Sequence, residues 1–350
     1  MIAASQPIQR SADAKLLVIS ATGDFRHAPR TALVEFLRSG DLVIANDAAT
    51  LPASLRGIHV RTGSSVEARL AGRRSLDSED VRRFSAIMFG AGDFHLRTED
   101  RPAPLLLAPG DRLDFGPLSA IVERLLGHPR LTLLRFEGSP NLIWAGLAQH
   151  GRPIQYAHLT TPLALWDVWT PIAGPPVAFE APSAGFALNW RLLLQMRARR
   201  VGFATITHAA GISSTGDMEL DSRLPFDEPY RIPKTTAVAI RRTRANGGRI
   251  VAVGTTVVRA LEDANRRDRL RSGDGLATKR IGPESSLRVV DAVLSGTHEL
   301  GSSHYELLRA FAADATLRHM ASELHSYGYR THEFGDSVLI DRSSEGRPAS

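Results

Sequence analysis

Apolar residues along this chain fall into two textures. Short solid runs, "KLLVIS" (15–20), "GDLVIAND" (40–47) and "RIVAVGT" (249–255), are bounded by polar or glycine residues and read as buried strands, and the alternating "FATITHA" (203–209) reads as a further strand. Between them, helical spacing is present at "RTALVEFLRSG" (30–40), "GFALNWRLLLQMRARRVG" (185–202) and "IPKTTAVAIRRTRANGG" (232–248). One or two further helices fit "SSHYELLRAFAADATLRHMASELHSYG" (302–328). From about residue 61 the texture changes to short, often alternating segments cut by Gly and Pro: "VEARLAG", "FSAIMFGAG", "DRLDFGPLSAIVERLLG" and "RLTLLRFEG". Such a run suits a small sandwich or barrel.

The pattern predicts a mixed α/β protein of two domains. Residues 1–60 and 151–342 form a discontinuous α/β main domain with a central mixed sheet or open barrel. Residues 61–150 form an inserted small all-β domain, and "SSEGRPAS" (343–350) a disordered tail.

Composition narrows the chemistry. In 350 residues, 43% hydrophobic and 23% charged content are those of a globular protein with a sizeable core. The absence of cysteine removes disulfides, thiolate zinc sites and cysteine nucleophiles together. No run of 18 apolar residues exists and no apolar signal core opens the chain, so a cytoplasmic protein with no membrane contact is expected. Lysine occurs only at 15, 234 and 279, so arginine supplies nearly all the positive charge behind a net +6. That balance is compatible with a phosphate-rich partner and also with a genome-wide arginine bias.

Polar residues gather where strands stop. "VAVGTTVVRALE" runs a strand into Gly254 and straight into a helix opening with Thr255 and Thr256. First-turn amides, two hydroxyls and Arg259 one turn on could cradle a carboxylate or phosphate. The other reading is a Thr cap, with Arg259 and Glu262 paired on the surface. His208 ends a strand and precedes a loop of small residues; it is either a proton carrier or a structural hydrogen-bonder. Asn46 and Asp47 end another strand and could orient a ligand or close an Asx-turn. "APSAGF" places Ser183 and Gly185 in a candidate rim loop that is not a Gly-x-Ser-x-Gly elbow. His298, Glu299, His304 and Glu306 crowd together without a zinc spacing, so no metal is expected. Asp336 precedes the last strand as a binding or turn residue.

In their order, "GDLVIANDAATLPASL", "APSAGF", "THAAG", "EPYRIPKTTAVAI", "GRIVAVGTTVVRALE", "LRVVDAVLSGTHELGSS" and "FGDSVLI" resemble the S-adenosylmethionine:tRNA ribosyltransferase-isomerase family of queuosine biosynthesis. The resemblance runs from about residue 15 to 340 and is densest from 179 to 340. It implies an α/β domain interrupted by a small β-barrel, and a tRNA substrate. The implied reaction moves the ribosyl part of S-adenosylmethionine, as co-substrate, onto 7-aminomethyl-7-deazaguanine in tRNA. Epoxyqueuosine forms, adenine and methionine leave, and no metal is needed.

On that resemblance His208, Asp47 and His298 are the candidate catalytic residues. Asn46, Ser183, Gly185, Glu228, Gly254, Thr255, Thr256, Arg259 and Asp336 are the candidate binding residues, in a protein expected to be a monomer. The chain departs from the family pattern at Ala48-Ala49-Thr50, Ala187, Phe226, the "AGISSTG" loop and Leu300-Gly301-Ser302-Ser303, losing two arginines and two histidines. Those losses leave open a paralogue with a different acceptor, or a non-catalytic RNA-binding module.

Overall fold

The computed structural model describes residues 1–266, 269–298 and 301–343. Its centre is a nine-stranded mixed sheet. In spatial order the strands are Gly273–Ala277, Glu228–Ile232, Gly202–His208, Leu42–Asn46, Ile250–Val253, Ala292–Gly296, Ser337–Asp341, Lys15–Ile19 and Phe25–Pro29. The four from Gly202–His208 to Ala292–Gly296 run parallel, so His208, Asn46, Val253 and Gly296 end at one edge. Glu228–Ile232 and Ser337–Asp341 pair antiparallel to this group and therefore begin at that same edge.

Solid apolar runs are what a sheet covered on both faces requires. Leu42, Ile44 and Ala252 point to one side, against helices Lys234–Ala245, Thr255–Ala264 and Asp314–Ser326. Val43, Ala45, Val251 and Val253 point to the other, against helix Trp190–Ala198 and the turn Arg30–Phe36.

Six strands between Ser54 and Phe136 close into a barrel. Its first strand, Ser54–His59, precedes residue 61, and helix Pro140–His150 follows its last. Leu55, Ala68, Phe84, Met88 and Phe136 fill a core continuous with Phe179, Ala209 and Ile212 beside the sheet edge.

Two elements differ from expectation. Residues 30–40 hold a 3-10 helix, Arg30–Phe36, behind an edge strand, Phe25–Pro29, that the pattern did not suggest. The connector must turn within a few residues, and short 3-10 pieces serve that purpose. The helix expected over 185–202 is Trp190–Ala198, capped by the Asn189 side chain accepting from the Leu192 amide at 2.8 Å. Arg200, at φ 58°, turns the chain out of it, and residues 183–187 form a separate 3-10 turn on the edge. Ser343 is anchored, its amide donating to the Phe311 carbonyl at 2.9 Å; the rest of the expected tail, with Glu299 and Leu300, lies outside the described residues.

Candidate active site

The expected residues do meet at one sheet edge, but they divide into a buried layer and an open one. In the buried layer, the Asn46 side chain donates to the His208 carbonyl and accepts from the His208 amide, both at 2.9 Å. Asn46 therefore joins two strand ends, and the amide expected to orient a ligand is already engaged. The His208 ring is 0% exposed and packs edge-on against Tyr230. Its Nε2 lies 3.2 Å from a Glu228 oxygen but off hydrogen-bond alignment, and neither ring nitrogen has a hydrogen-bond partner among the described residues. Burial, then the Arg259 charge, pushes its pKa well below the usual histidine value. The imidazole expected at the rim as a proton carrier is sealed beneath it, which corrects its placement.

Arg259 requires a second correction. It does not lean over the helix start: it pairs with Glu228 and donates to the carbonyls of Ala277 at 3.0 Å and Phe226 at 3.2 Å. Nor does it pair with Glu262, whose carboxylate accepts from the amides of Arg288, Val289 and Val290 at 2.8–2.9 Å. Glu228, 5% exposed, also accepts from the Gly211 amide, and burial raises its pKa despite Arg259. It is a structural counter-ion, not a free binding group. Asp336, 1% exposed, accepts from the amides of Lys15 and Arg330 at 2.8 Å each, so it closes a turn.

The open layer lies over this floor. Gly254 takes φ 96°, and an added Cβ there would stand 3.5 Å from the Ala184 methyl, so the helix start and the 183–187 turn abut. Gly185 is fixed by packing: a Cβ would meet Thr170 at 2.9 Å. Gly254 gives the helix no side-chain cap, while the Thr255 hydroxyl is already 3.0 Å from His304 Nδ1. Ser183 and Thr256 are half-buried beside them. His304 stacks on His298 at 4.4 Å, and His298 Nε2 lies 3.1 Å from the Ser295 hydroxyl. Burial and the neighbouring His304 and His332 push His298 well below the usual histidine pKa. Asp47 is half-buried and accepts from the Thr207 hydroxyl at 2.7 Å.

Beyond His298 lie groups that sequence reasoning missed: Tyr156, His158, Glu180, His332 and Glu333, all half-buried. Tyr156 donates to Glu180, whose same oxygen accepts from the Ser213 amide at 3.1 Å. Burial pushes the Glu180 carboxyl up to about 7; these hydrogen bonds oppose the shift and the Glu333 charge adds to it. Burial and the Glu180 charge hold the Tyr156 hydroxyl well above its ordinary value. The one available signal was a glutamate closing the apolar run of "VAFEAP". Tyr156, Glu180 and Glu333 line a hollow of about 20 Å³, room for one water. A wider hollow of about 420 Å³, between Lys15, His27, Tyr327 and Tyr329, touches none of these groups; the small hollow is where the chemistry converges.

A parallel-centred α/β sheet that carries a closed barrel and gathers its polar side chains at the strand ends has the build of an α/β enzyme. The chain belongs to a particular family of that class: the family model described as "Queuosine biosynthesis protein" matches residues 1–340. It is 31% identical to the S-adenosylmethionine:tRNA ribosyltransferase-isomerase of Gloeobacter violaceus over 96% of this chain and 92% of that one. The protein of the same name from Thermus thermophilus is 32% identical over 93% and 92%. The crystal structure of S-adenosylmethionine tRNA ribosyltransferase from Thermotoga maritima shares the fold, with a TM-score of 0.51 at 24% identity over 97% and 96% of the chains. Among the described residues no helix is long and apolar enough to cross a membrane.

Proposed function

We propose that this protein transfers and isomerises the ribosyl group of S-adenosylmethionine onto 7-aminomethyl-7-deazaguanine in tRNA, giving epoxyqueuosine and releasing adenine and methionine. It acts in the cytoplasm as a monomer. Family membership across nearly the whole chain carries this reading, since the relatives so named match it almost end to end.

The chemistry asks for a base, because the sulfonium acidifies the adjacent 5′-carbon protons, and for a proton donor to departing adenine. In this chain Glu180 takes both parts. Its carboxylate accepts the 5′ proton, and the acid so formed returns that proton to adenine. A pKa of about 7 suits transfer in either direction. Tyr156 orients the carboxylate by its hydrogen bond. The uncapped first turn after Gly254, with Thr256 and Ser183, receives the methionine carboxylate without help from Arg259. Asp47 and His298, each already hydrogen-bonded, position the nucleoside rather than carry protons.

The test is adenine release from S-adenosylmethionine by purified protein. Release only with tRNA bearing the deazaguanine supports the proposal. Release without RNA points to another acceptor, and binding without release to a non-catalytic module.

A further inference from the structure

We propose that His158, His332 and Glu333 form a binding site for one divalent zinc-class ion on the wall of the cleft. Among the described residues they are the one group of three His, Asp or Glu whose ligand atoms all lie within 4.8 Å of one another. His158 Nε2 is 3.0 Å from a Glu333 oxygen, and the His158 and His332 rings lie parallel within 14° at 4.1 Å.

The donor set selects the ion. Two imidazoles and a carboxylate suit zinc and its transition-metal neighbours, whereas magnesium and calcium ask for oxygen alone. Bonds of about 2.0–2.2 Å in a tetrahedral shell set ligand atoms roughly 3.3 Å apart, and since an ion bonds in the plane of each imidazole, binding turns one of the two stacked rings out of the stack to aim its nitrogen at the shared ion. Two further observations bear on the placement. His332 adopts φ 68°, a region side chains other than glycine rarely take, so the fold holds this residue where an ordinary backbone would not. Glu333 lines the same small hollow as Tyr156 and Glu180, so an ion held by the three residues would lie beside those groups. The resemblance to the family implied no metal. The inference instead rests on side chains this fold brings together from distant parts of the sequence, and it stands or falls apart from the transferase reading.

The full chain, stripped with chelator, is titrated with zinc by calorimetry and with cobalt by visible absorption. We expect one equivalent bound, the d–d band of a four-coordinate cobalt site, and a rise in melting temperature with zinc. His158→Ala and His332→Ala should each weaken binding at least about tenfold. Glu333→Gln, which keeps the side-chain volume, should do the same, and circular dichroism checks that each variant folds. No binding at about 100 µM zinc overturns the site, that being well above the affinities of built zinc sites. Binding that all three variants leave intact overturns it equally, by placing the ion elsewhere.

Discussion

Asn46 grips His208 by both ends of its peptide, donating to the carbonyl and accepting from the amide at 2.9 Å each. Two residues that looked like reaction partners in the sequence are thus a splice between neighbouring strands, at 2% and 0% exposure. Asn46→Ala orphans a buried amide and carbonyl, and should cost about 2–4 kcal/mol in urea unfolding. Asn46→Asp keeps the acceptor but loses the donor and buries a carboxylate against the His208 carbonyl, so at pH 8 it should cost at least as much. An unchanged midpoint in both would remove the splice.

Arg259 carries a related prediction. Arg259→Ala leaves Glu228 charged and buried, a change worth about 3–5 kcal/mol. The loss should be smaller at pH 5 than at pH 8. Without the guanidinium, Glu228 takes up a proton as pH falls, and His208 is spared a positive neighbour. Urea midpoints of wild type and variant at both pH values measure this; a pH-independent difference contradicts it.

Glu180 ties activity to pH. As the base it must be ionised, so kcat/KM for adenine release should climb through about pH 7. Tyr156→Phe removes a hydrogen bond that favours the carboxylate, so the rise should move to higher pH. Glu180→Gln should lower the rate roughly 10²–10⁴-fold. A profile unmoved by Tyr156→Phe would exclude Glu180 from the titration.

The same group shapes stability with the opposite sense. Its folded pKa lies above the unfolded value, so its stabilising contribution is complete below about 4.5 and is lost as pH rises to about 7. Glu180→Gln should flatten the stability profile in that window, readable by thermal melts across pH.

Glu262 is a smaller test of how the helix is used. Its carboxylate gathers three successive amides at 288–290, and Glu262→Ala should cost about 1–3 kcal/mol. Faster amide exchange at Val289 and Val290 would localise the loss.

Much of the architecture was legible because periodicity reports burial directly. "LVIAN" and "IVAV" are apolar at every position since each lies in a sheet covered on both faces, and the alternating texture after residue 61 belongs to barrel strands with an inside and an outside. The strand ends carrying Asn46, His208, Gly254 and His298 were likewise legible as neighbours. What local spacing could not express is depth. Nothing in "THAAG" distinguishes a histidine in a cleft from one sealed beneath it, and nothing in "GTTVVRALE" says that Arg259 meets a glutamate from another strand.

The sequence by itself determined the α/β class, the interrupted sheet, the edge where polar loops gather and the family, because these follow from hydrophobic period and ordered motifs. Only the tertiary structure decided which of those polar groups face solvent. It drew Glu180, Tyr156, His158, His332 and Glu333 from separate segments to one wall. Burial and charge pairing depend on what packs across from a residue, and that neighbour is set by the fold, not by adjacent letters.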